Sequence, residues 1–164
     1  MLRIGVTGHR AYDDEAATLA AIDEVLDRLV PTGDTEVEVV SALAEGADRV
    51  VAQRAMDRHG ARLSALLPLA PDDYRADFHA PGSEAAFAAL LDAAAEATVV
   101  PPQPSRVHAY EAAGLAMVDA SDVVIAVWDG APARGRGGVA EVVQYALDQE
   151  VPVEVVLVRR TAES

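Results

Sequence analysis

The chain contains no cysteine, and this absence excludes disulfide bonds and thiolate metal sites. It also lacks any apolar run near the roughly 20 residues that a membrane-spanning helix needs. Residues 2–6 have the pattern of a strand, and no apolar secretory segment follows them. We therefore expect a cytosolic protein that has no membrane partner.

Aromatic residues and positive charge are also scarce. Aromatic residues make up 4% of the chain and hydrophobic residues 51%, so alanine, valine and leucine must fill the core. The chain has 13 basic and 27 acidic residues, and its net charge of -14 argues against a broad electrostatic surface for DNA, RNA or anionic membranes. We therefore expect no nucleic-acid partner, although a small local anion site remains compatible with this charge.

The motifs of common cofactor and nucleophile sites are absent as well. The first strand is followed neither by a P-loop lysine motif nor by G-x-G-x-x-G. There is no G-x-S-x-G nucleophile turn, and the four histidines show no metal-ligand spacing. The sequence therefore predicts no metal site and no cofactor.

The sequence does contain a regular alternation of strand and helix patterns. The predicted strands are 2–7, 37–41, 62–67, 98–100, 122–127 and 151–158, and the predicted helices are 15–30, 46–59, 83–97, 107–118 and 138–149. Alternating β and α units form a parallel sheet with helices on both faces. We predict an α/β fold, a three-layer αβα sandwich with a mostly parallel sheet, as one domain over 1–160 with a tail at 161–164.

Ligands of such sheets bind outside the carboxyl ends of the strands, so the strand exits are the segments of interest. At the first exit, Thr7 offers a hydroxyl, Gly8 permits close approach and Arg10 can fork onto a phosphate. His9 can bind a base or a phosphate, or move a proton. A second interpretation stays open, in which His9 and Arg10 form a solvated turn that pairs with the acids at 13–14.

The second exit, at residues 41–48, combines small residues with two acids. Ser41 ends the strand, and Gly46 at the helix start lets a ligand approach backbone N–H groups. Asp48 suits the helix dipole and can hold a ribose hydroxyl. The alternative is ordinary helix capping by Glu45 and Asp48.

Aromatic residues near the same rim leave further alternatives open. Tyr74 can stack on a base, or it can pack with Phe78 beneath an acidic loop. Tyr110 can line a pocket or pack in the core. Trp128 is a second candidate to lie beside a bound base.

The exit of the strand at 123–127 has the richest pattern. It leads through Asp129 and Gly130 into a glycine-rich turn, and Glu141 lies in the first turn of the next helix. Glycines let the backbone come close, and the helix dipole favours an anion. The sequence therefore predicts a phosphate site at this turn, formed by Arg134, Gly135, Arg136, Gly137 and Gly138. The alternative is a flexible exposed turn with Glu141 as a dipole-friendly acid.

Together these turns resemble the SLOG superfamily, a Rossmann-like group. It includes DNA-processing protein A, the Lonely Guy phosphoribohydrolases and nucleotide-sensing modules. Residues 41–48 resemble the S-G-x-A-x-G-x-D signature of the DNA-processing branch, with Ala42 in place of a glycine. Residues 6–10 resemble the first-strand turn of small SLOG proteins, and 137–141 resemble the Gly-Gly turn. The resemblance implies a Rossmann-like fold over residues 4–158 and a nucleotide ligand.

The resemblance also has a departure that bears on catalysis. In the Lonely Guy motif P-G-G-x-G-T-x-x-E, the catalytic glutamate corresponds to Val142 of this chain, not to Glu141. Comparison with nucleoside deoxyribosyltransferases, aligned on the Tyr145-Ala146 pair, gives the same position. One residue on a helix is a rotation of about 100°. Both comparisons count against N-glycosidic chemistry without excluding it.

The sequence thus predicts binding or sensing of a nucleotide or a nucleotide-derived ligand, with its phosphate on the turn at 134–138. The alternative is an enzyme acting on N-glycosidic bonds, in which Glu141 stabilises or attacks the sugar carbon.

The small apolar stretch at 112–117 favours close helix packing across a symmetric interface. We therefore also expect a homodimer or a higher homo-oligomer.

Overall fold

A computed structural model describes residues 1–31, 33–133 and 135–161. The strands are β1 (Leu2–Gly8), β2 (Val37–Ser41), β3 (Arg62–Leu67), β4 (Glu96–Val99), β5 (Val123–Trp128) and β6 (Val153–Leu157). The helices are α1 (Glu15–Leu29), α2 (Ala47–His59), α3 (Pro71–Tyr74), α4 (Ser83–Ala93), α5 (Arg106–Asp119) and α6 (Val139–Asp148), and a 3₁₀ turn at Arg75–Asp77 follows α3. Within the described ranges no helix is both long and apolar enough to cross a membrane. The cytosolic location stays a prediction.

The described strands form a six-stranded sheet in the order β4-β3-β2-β1-β5-β6, and every neighbouring pair is parallel. This confirms the predicted α/β sandwich. From β1 the chain moves outward through β2 and β3 to β4, then returns to β5 on the other side of β1. The reversal opens a crevice at the carboxyl ends of β1 and β5, which is where ligands of such sheets bind.

The core occupies both faces of this sheet. On one face α1 and α2 pack through residues such as Ile22, Leu26 and Val51. On the other face α5 and α6 pack through Met117 and Val142. Because both faces are covered, β5 is buried over five consecutive residues, which explains its continuously apolar sequence.

Two segments differ from the sequence pattern. Helix α4 ends at Ala93, not near residue 97, and β4 occupies the last part of the predicted helix. Alanine has the highest helix propensity, but its advantage is less than about 1 kcal/mol per residue, and pairing of β4 with β3 outweighs it. Of the predicted tail at 161–164, residues 162–164 lie outside the described residues, and the Thr161 N–H donates to the Ala11 carbonyl, next to a bond from the Asp13 N–H to the Arg159 carbonyl.

Gly8 is the closest packing point between β1, β5 and α2. A Cβ added there would lie 2.4 Å from the Ala47 Cβ and 2.9 Å from the Val127 Cβ. Overpacking of this kind costs about 1–3 kcal/mol, so we expect Gly8→Ala to lower the free energy of unfolding by that amount in urea titrations followed by circular dichroism. Gly33→Ala is the control, because no atom lies within 4 Å of its added Cβ. Equal stability of both variants would contradict the packing at β1.

Candidate functional site

Two adjoining pockets open in the crevice between β1 and β5, each of about 240 Å³. The central pocket lies between the β1 exit, α5 and the starts of α2 and α6. Its lining residues are Val6, Thr7, Gly8, His9, Arg10, Ala42, Ala44, Asp48, Tyr74, Tyr110, Ala113, Gly114, Met117, Gly137, Gly138, Val139, Val142 and Arg160. The side pocket lies along the β5 exit. Its lining residues are His9, Trp128, Asp129, Ala131, Pro132, Ala133, Gly135, Arg136, Gly138, Val139, Ala140 and Arg160.

The first strand exit supplies four consecutive residues of the central pocket, from Thr7 to Arg10. His9 is buried, with 7% of its surface exposed. Its backbone N–H donates to Val127 at 3.0 Å, and its carbonyl accepts from the Ala47 N–H at 3.2 Å. Its Nε2 accepts from the Asp129 N–H at 3.1 Å. His9 therefore ties together the ends of β1 and β5 and the start of α2.

Arg10 brings a cation to the central pocket. Its guanidinium lies 5.7 Å from the centre of the Tyr110 ring. Burial lowers the pKa of Arg10, but the hydrogen bond to Tyr110 and nearby negative charge outweigh it, so the net pKa is raised. Gly46 fits beneath the Arg10 backbone at a φ of +88°, where an added Cβ would lie 2.3 Å from the Arg10 carbonyl oxygen. Gly46 thus shapes the site without lining either pocket.

Two predicted site residues of the second exit shape the loop instead of facing a pocket. The Ser41 hydroxyl donates to the Asp48 carbonyl at 3.0 Å and accepts from the Leu43 N–H at 3.0 Å. The Glu45 carboxylate accepts from the N–H groups of His79 and Ala80 at 3.2 and 3.0 Å. The polar atoms of both side chains are therefore used within the fold.

Asp48 of the same exit does face the central pocket. It lies in the first turn of α2, whose N-terminus has no side-chain cap, and only 8% of its surface is exposed. Burial raises the pKa of Asp48 to about 7, although the Ala44 N–H and the charges of Arg10 and Arg49 act in the opposite direction. A buried carboxyl with a raised pKa in a pocket is typical of functional sites.

Two tyrosines contribute to the wall of the central pocket. Tyr74 is wholly buried, its hydroxyl donates to the Ala42 carbonyl at 3.0 Å, and its ring meets the Phe78 ring edge-on at 4.8 Å. Tyr110 is half-buried and donates to Asp77. Burial and the Asp77 hydrogen bond raise the pKa of Tyr110 to about 12. Both residues belong to the lining of the central pocket, and the Tyr74 ring packs against Phe78.

The glycine-rich turn lies where α6 begins. Gly138 precedes α6 and carries no side-chain cap, so the first N–H groups of α6 have no acceptor from a capping side chain. Gly137 has a φ of +75°, and a Cβ there would lie 3.2 Å from the Glu111 nitrogen. Gly137 faces the central pocket, Gly135 and Arg136 face the side pocket, and Gly138 faces both. Asp129 also lines the side pocket, Gly130 lines neither, and Arg134 lies outside the described residues.

Glu141 turns away from both pockets toward α5. Burial and a hydrogen bond shared with Glu111 raise the pKa of Glu141. The same hydrogen bond and the charge of Arg136 lower the pKa of Glu111, and Arg136 lies 3.2 Å from both Glu111 oxygens. Val142, one residue further on, lines the central pocket with 3% of its surface exposed.

Sequence reasoning missed Arg160 and the residues of α5 that follow Tyr110. Arg160 lines both pockets because the segment after β6 returns to form an antiparallel bridge with Tyr12. No local motif marks such a position. On α5, Gly114 and Met117 line the central pocket, and a Cβ at Gly114 would lie 2.8 Å from Val142 Cγ2. Part of the predicted interface helix thus packs within the chain, and the oligomeric state stays a prediction.

No protein-family model matches the sequence, and no curated protein matches it. Three solved structures that match this chain in fold are each 18% identical to it in sequence. DNA processing protein A from Streptococcus pneumoniae has a TM-score of 0.64 over 94% of this chain and 50% of its own. The Helicobacter pylori protein of the same name has a TM-score of 0.61 over 94% and 64%. The molybdenum cofactor binding protein of Rippkaea orientalis has a TM-score of 0.52 over 94% and 75%.

This chain therefore spans half the length of the first of these proteins and 64% of the second. At 18% sequence identity, the similarity between this chain and these structures is a similarity of fold. It confirms the Rossmann-like fold that the resemblance to the SLOG superfamily predicted, over nearly the whole chain.

The exclusion of nucleic acid as a partner is wrong. The Helicobacter pylori protein, one of the most similar structures, is described by its single-stranded DNA binding mode. Net charge describes the whole surface, whereas the groups that contact a bound strand are local. A net charge of -14 therefore does not exclude a nucleic-acid ligand for a chain of this fold.

Asp48 makes stability depend on pH in a defined direction. Its pKa is about 7 in the folded chain and 3.8 in the absence of burial, so its cost to folding grows as pH rises between these values and is complete above about 7. We expect the free energy of unfolding of Asp48→Asn to exceed that of the wild type increasingly from pH 4 to 8, by about 4 kcal/mol at most. Urea titrations measure this difference. Asp92→Asn, an exposed change of the same kind on α4, should show no such trend.

Proposed function

We propose that the central pocket binds a nucleotide or a nucleotide-derived ligand. The observation that carries this proposal is a convergence at the crevice between β1 and β5. The starts of α2 and α6 meet there without side-chain caps, and Arg10 and Arg160 line the same pocket. The uncapped start of α6 offers N–H donors and a favourable dipole to an anion, whereas the first N–H of α2 already donates to the His9 carbonyl. The two arginines add positive charge and a fork of donors.

The remaining walls favour a nucleotide over a bare anion. Asp48 lies in the pocket as a hydrogen-bond partner for a ribose hydroxyl, and its carboxyl can accept and, when protonated, also donate. Met117 and Val142 make part of the pocket lining apolar, and the half-buried Tyr110 offers a ring in the same lining. A ligand that has both a phosphate and a sugar uses the cationic and the acidic parts of the pocket together.

The similar structures support ligand binding at this fold in general terms. One is a molybdenum cofactor binding protein, and another is described by single-stranded DNA binding. The alternative of N-glycosidic catalysis through Glu141 draws no support from the geometry, because that carboxyl is bound to Glu111 and lies outside the pocket lining. We therefore propose binding without turnover, which incubation with nucleotides and chromatography for free base would check.

Arg10 provides the direct test of ligand binding. A hydrogen bond to a charged group contributes about 1.5–3 kcal/mol, so Arg10→Gln should weaken binding of AMP and of ADP-ribose roughly tenfold to a hundredfold in isothermal titration calorimetry. Arg62→Gln is the matched control, because Arg62 is exposed at the opposite end of the sheet and the net charge changes equally. Oligothymidylate belongs in the same panel, and binding of the oligonucleotide alone would replace the nucleotide proposal with a strand-binding one.

Asp48 predicts the pH dependence of the same binding. A bound anion disfavours the ionised form of a neighbouring carboxyl, so binding raises the pKa of Asp48 above about 7 and takes up a proton. We expect affinity for ADP-ribose, whose diphosphate does not titrate in this range, to fall as pH rises from about 6 to 8. Asp48→Asn should abolish this dependence. A flat profile in the wild type would show that the ligand anion lies far from Asp48.

A further inference from the structure

The central and side pockets adjoin one another at the carboxyl ends of β1 and β5. They share four lining residues, His9, Gly138, Val139 and Arg160. Each pocket has a volume of about 240 Å³, whereas sites for small organic ligands commonly have about 300–1,000 Å³. Neither pocket alone reaches that range, but the two together do.

The shared wall is the part of the crevice best suited to an anion. Gly138 and Val139 are the cap and the first residue of α6, so the uncapped start of that helix lies between the pockets. Arg160 reaches both pockets from the segment after β6. An anionic group bound at this wall has open space on two sides, so it lies in the middle of a ligand rather than at its end.

The two flanking spaces differ in chemistry. The central pocket carries Arg10, Asp48 and Tyr110, which offer a charge of each sign and a hydroxyl. The side pocket is lined on one flank by Trp128, Ala131 and residues 132–133, and on the other by the start of α6, and Asp129 and Arg136 also line it. The central pocket thus places a phenol beside its charged groups and the side pocket places an indole beside its own, so the two spaces can accommodate two different organic groups.

We propose that the two pockets form one bipartite site for a nucleoside diphosphate esterified to a second organic group. The nucleoside lies in the central pocket, the diphosphate contacts the shared wall, and the second group lies in the side pocket. This inference rests on the proposed function. It adds that a ligand ending in phosphate leaves the side pocket empty.

The experiment compares ADP with ADP-ribose, because the two share nucleoside and diphosphate and differ in the second group. Two variants make the same change on either side of the shared wall. Ala44→Leu fills the central pocket and Ala140→Leu fills the side pocket, and each residue lines only its own pocket. We expect ADP-ribose to bind the wild type at least tenfold more tightly than ADP. Ala140→Leu should remove that gain and leave ADP binding unchanged, whereas Ala44→Leu should weaken both ligands.

A second readout is independent of affinity. Trp128 is the single tryptophan of the chain, and it lines the side pocket but not the central one. ADP-ribose should therefore change the tryptophan fluorescence of the wild type, and ADP should not. Equal affinity for the two ligands, or unchanged ADP-ribose affinity in Ala140→Leu, would overturn the bipartite site and leave the proposed function standing. Failure of both ligands to bind would overturn the proposed function as well.

Discussion

The close contact between the ends of β1 and β5 is the constraint on which the rest of the site depends. Gly8 leaves no side chain between β1, Val127 and Ala47, so α2 starts directly against the sheet. His9 then joins the same elements through bonds to Val127, Ala47 and Asp129. Because the strand order reverses at this contact, the starts of α2 and α6 face one crevice from two directions. A larger residue at the end of β1 would push the starts of α2 and α6 apart and would change both pockets.

The pocket holds groups of opposite charge that do not neutralise one another fully. Arg10 lowers the pKa of Asp48, but burial outweighs that effect and the carboxyl stays costly to ionise. A buried carboxyl that is costly to ionise lowers the stability of the fold, so Asp48 has no evident structural role. A ligand that presents a phosphate to the start of α6 and a hydroxyl to Asp48 makes use of both, which gives a physical reason for an acid inside an anion site.

Much of the fold can be predicted from the sequence, because the faces of helices and strands that are buried in the core must be apolar. The run at 123–127 predicts β5, since a strand covered on both faces must be apolar throughout. The end of α4 is not predictable in this way, because β4 forms through pairing with β3. Residues 7–10 and 137–138 are predictable as site residues since exits of parallel strands share one edge. The Ser41 hydroxyl bonds within the loop, and Arg160 reaches the pockets through the bridge with Tyr12. Both positions depend on tertiary contacts, which a local sequence pattern does not predict.

The directions in which Glu141 and Val142 project from α6 bear on the choice between ligand binding and N-glycosidic catalysis. Glu141 is the third residue of this helix, and its carboxyl reaches back to the Gly137 backbone while holding Glu111. A glutamate at that position stabilises a helix start, and here it fixes the glycine turn that contributes to both pockets. The next residue, Val142, lies about 100° around the helix and offers the central pocket no proton donor or nucleophile. With its acid holding the turn and an apolar side chain lining the central pocket, α6 supports the proposal of ligand binding over the alternative of catalysis through Glu141.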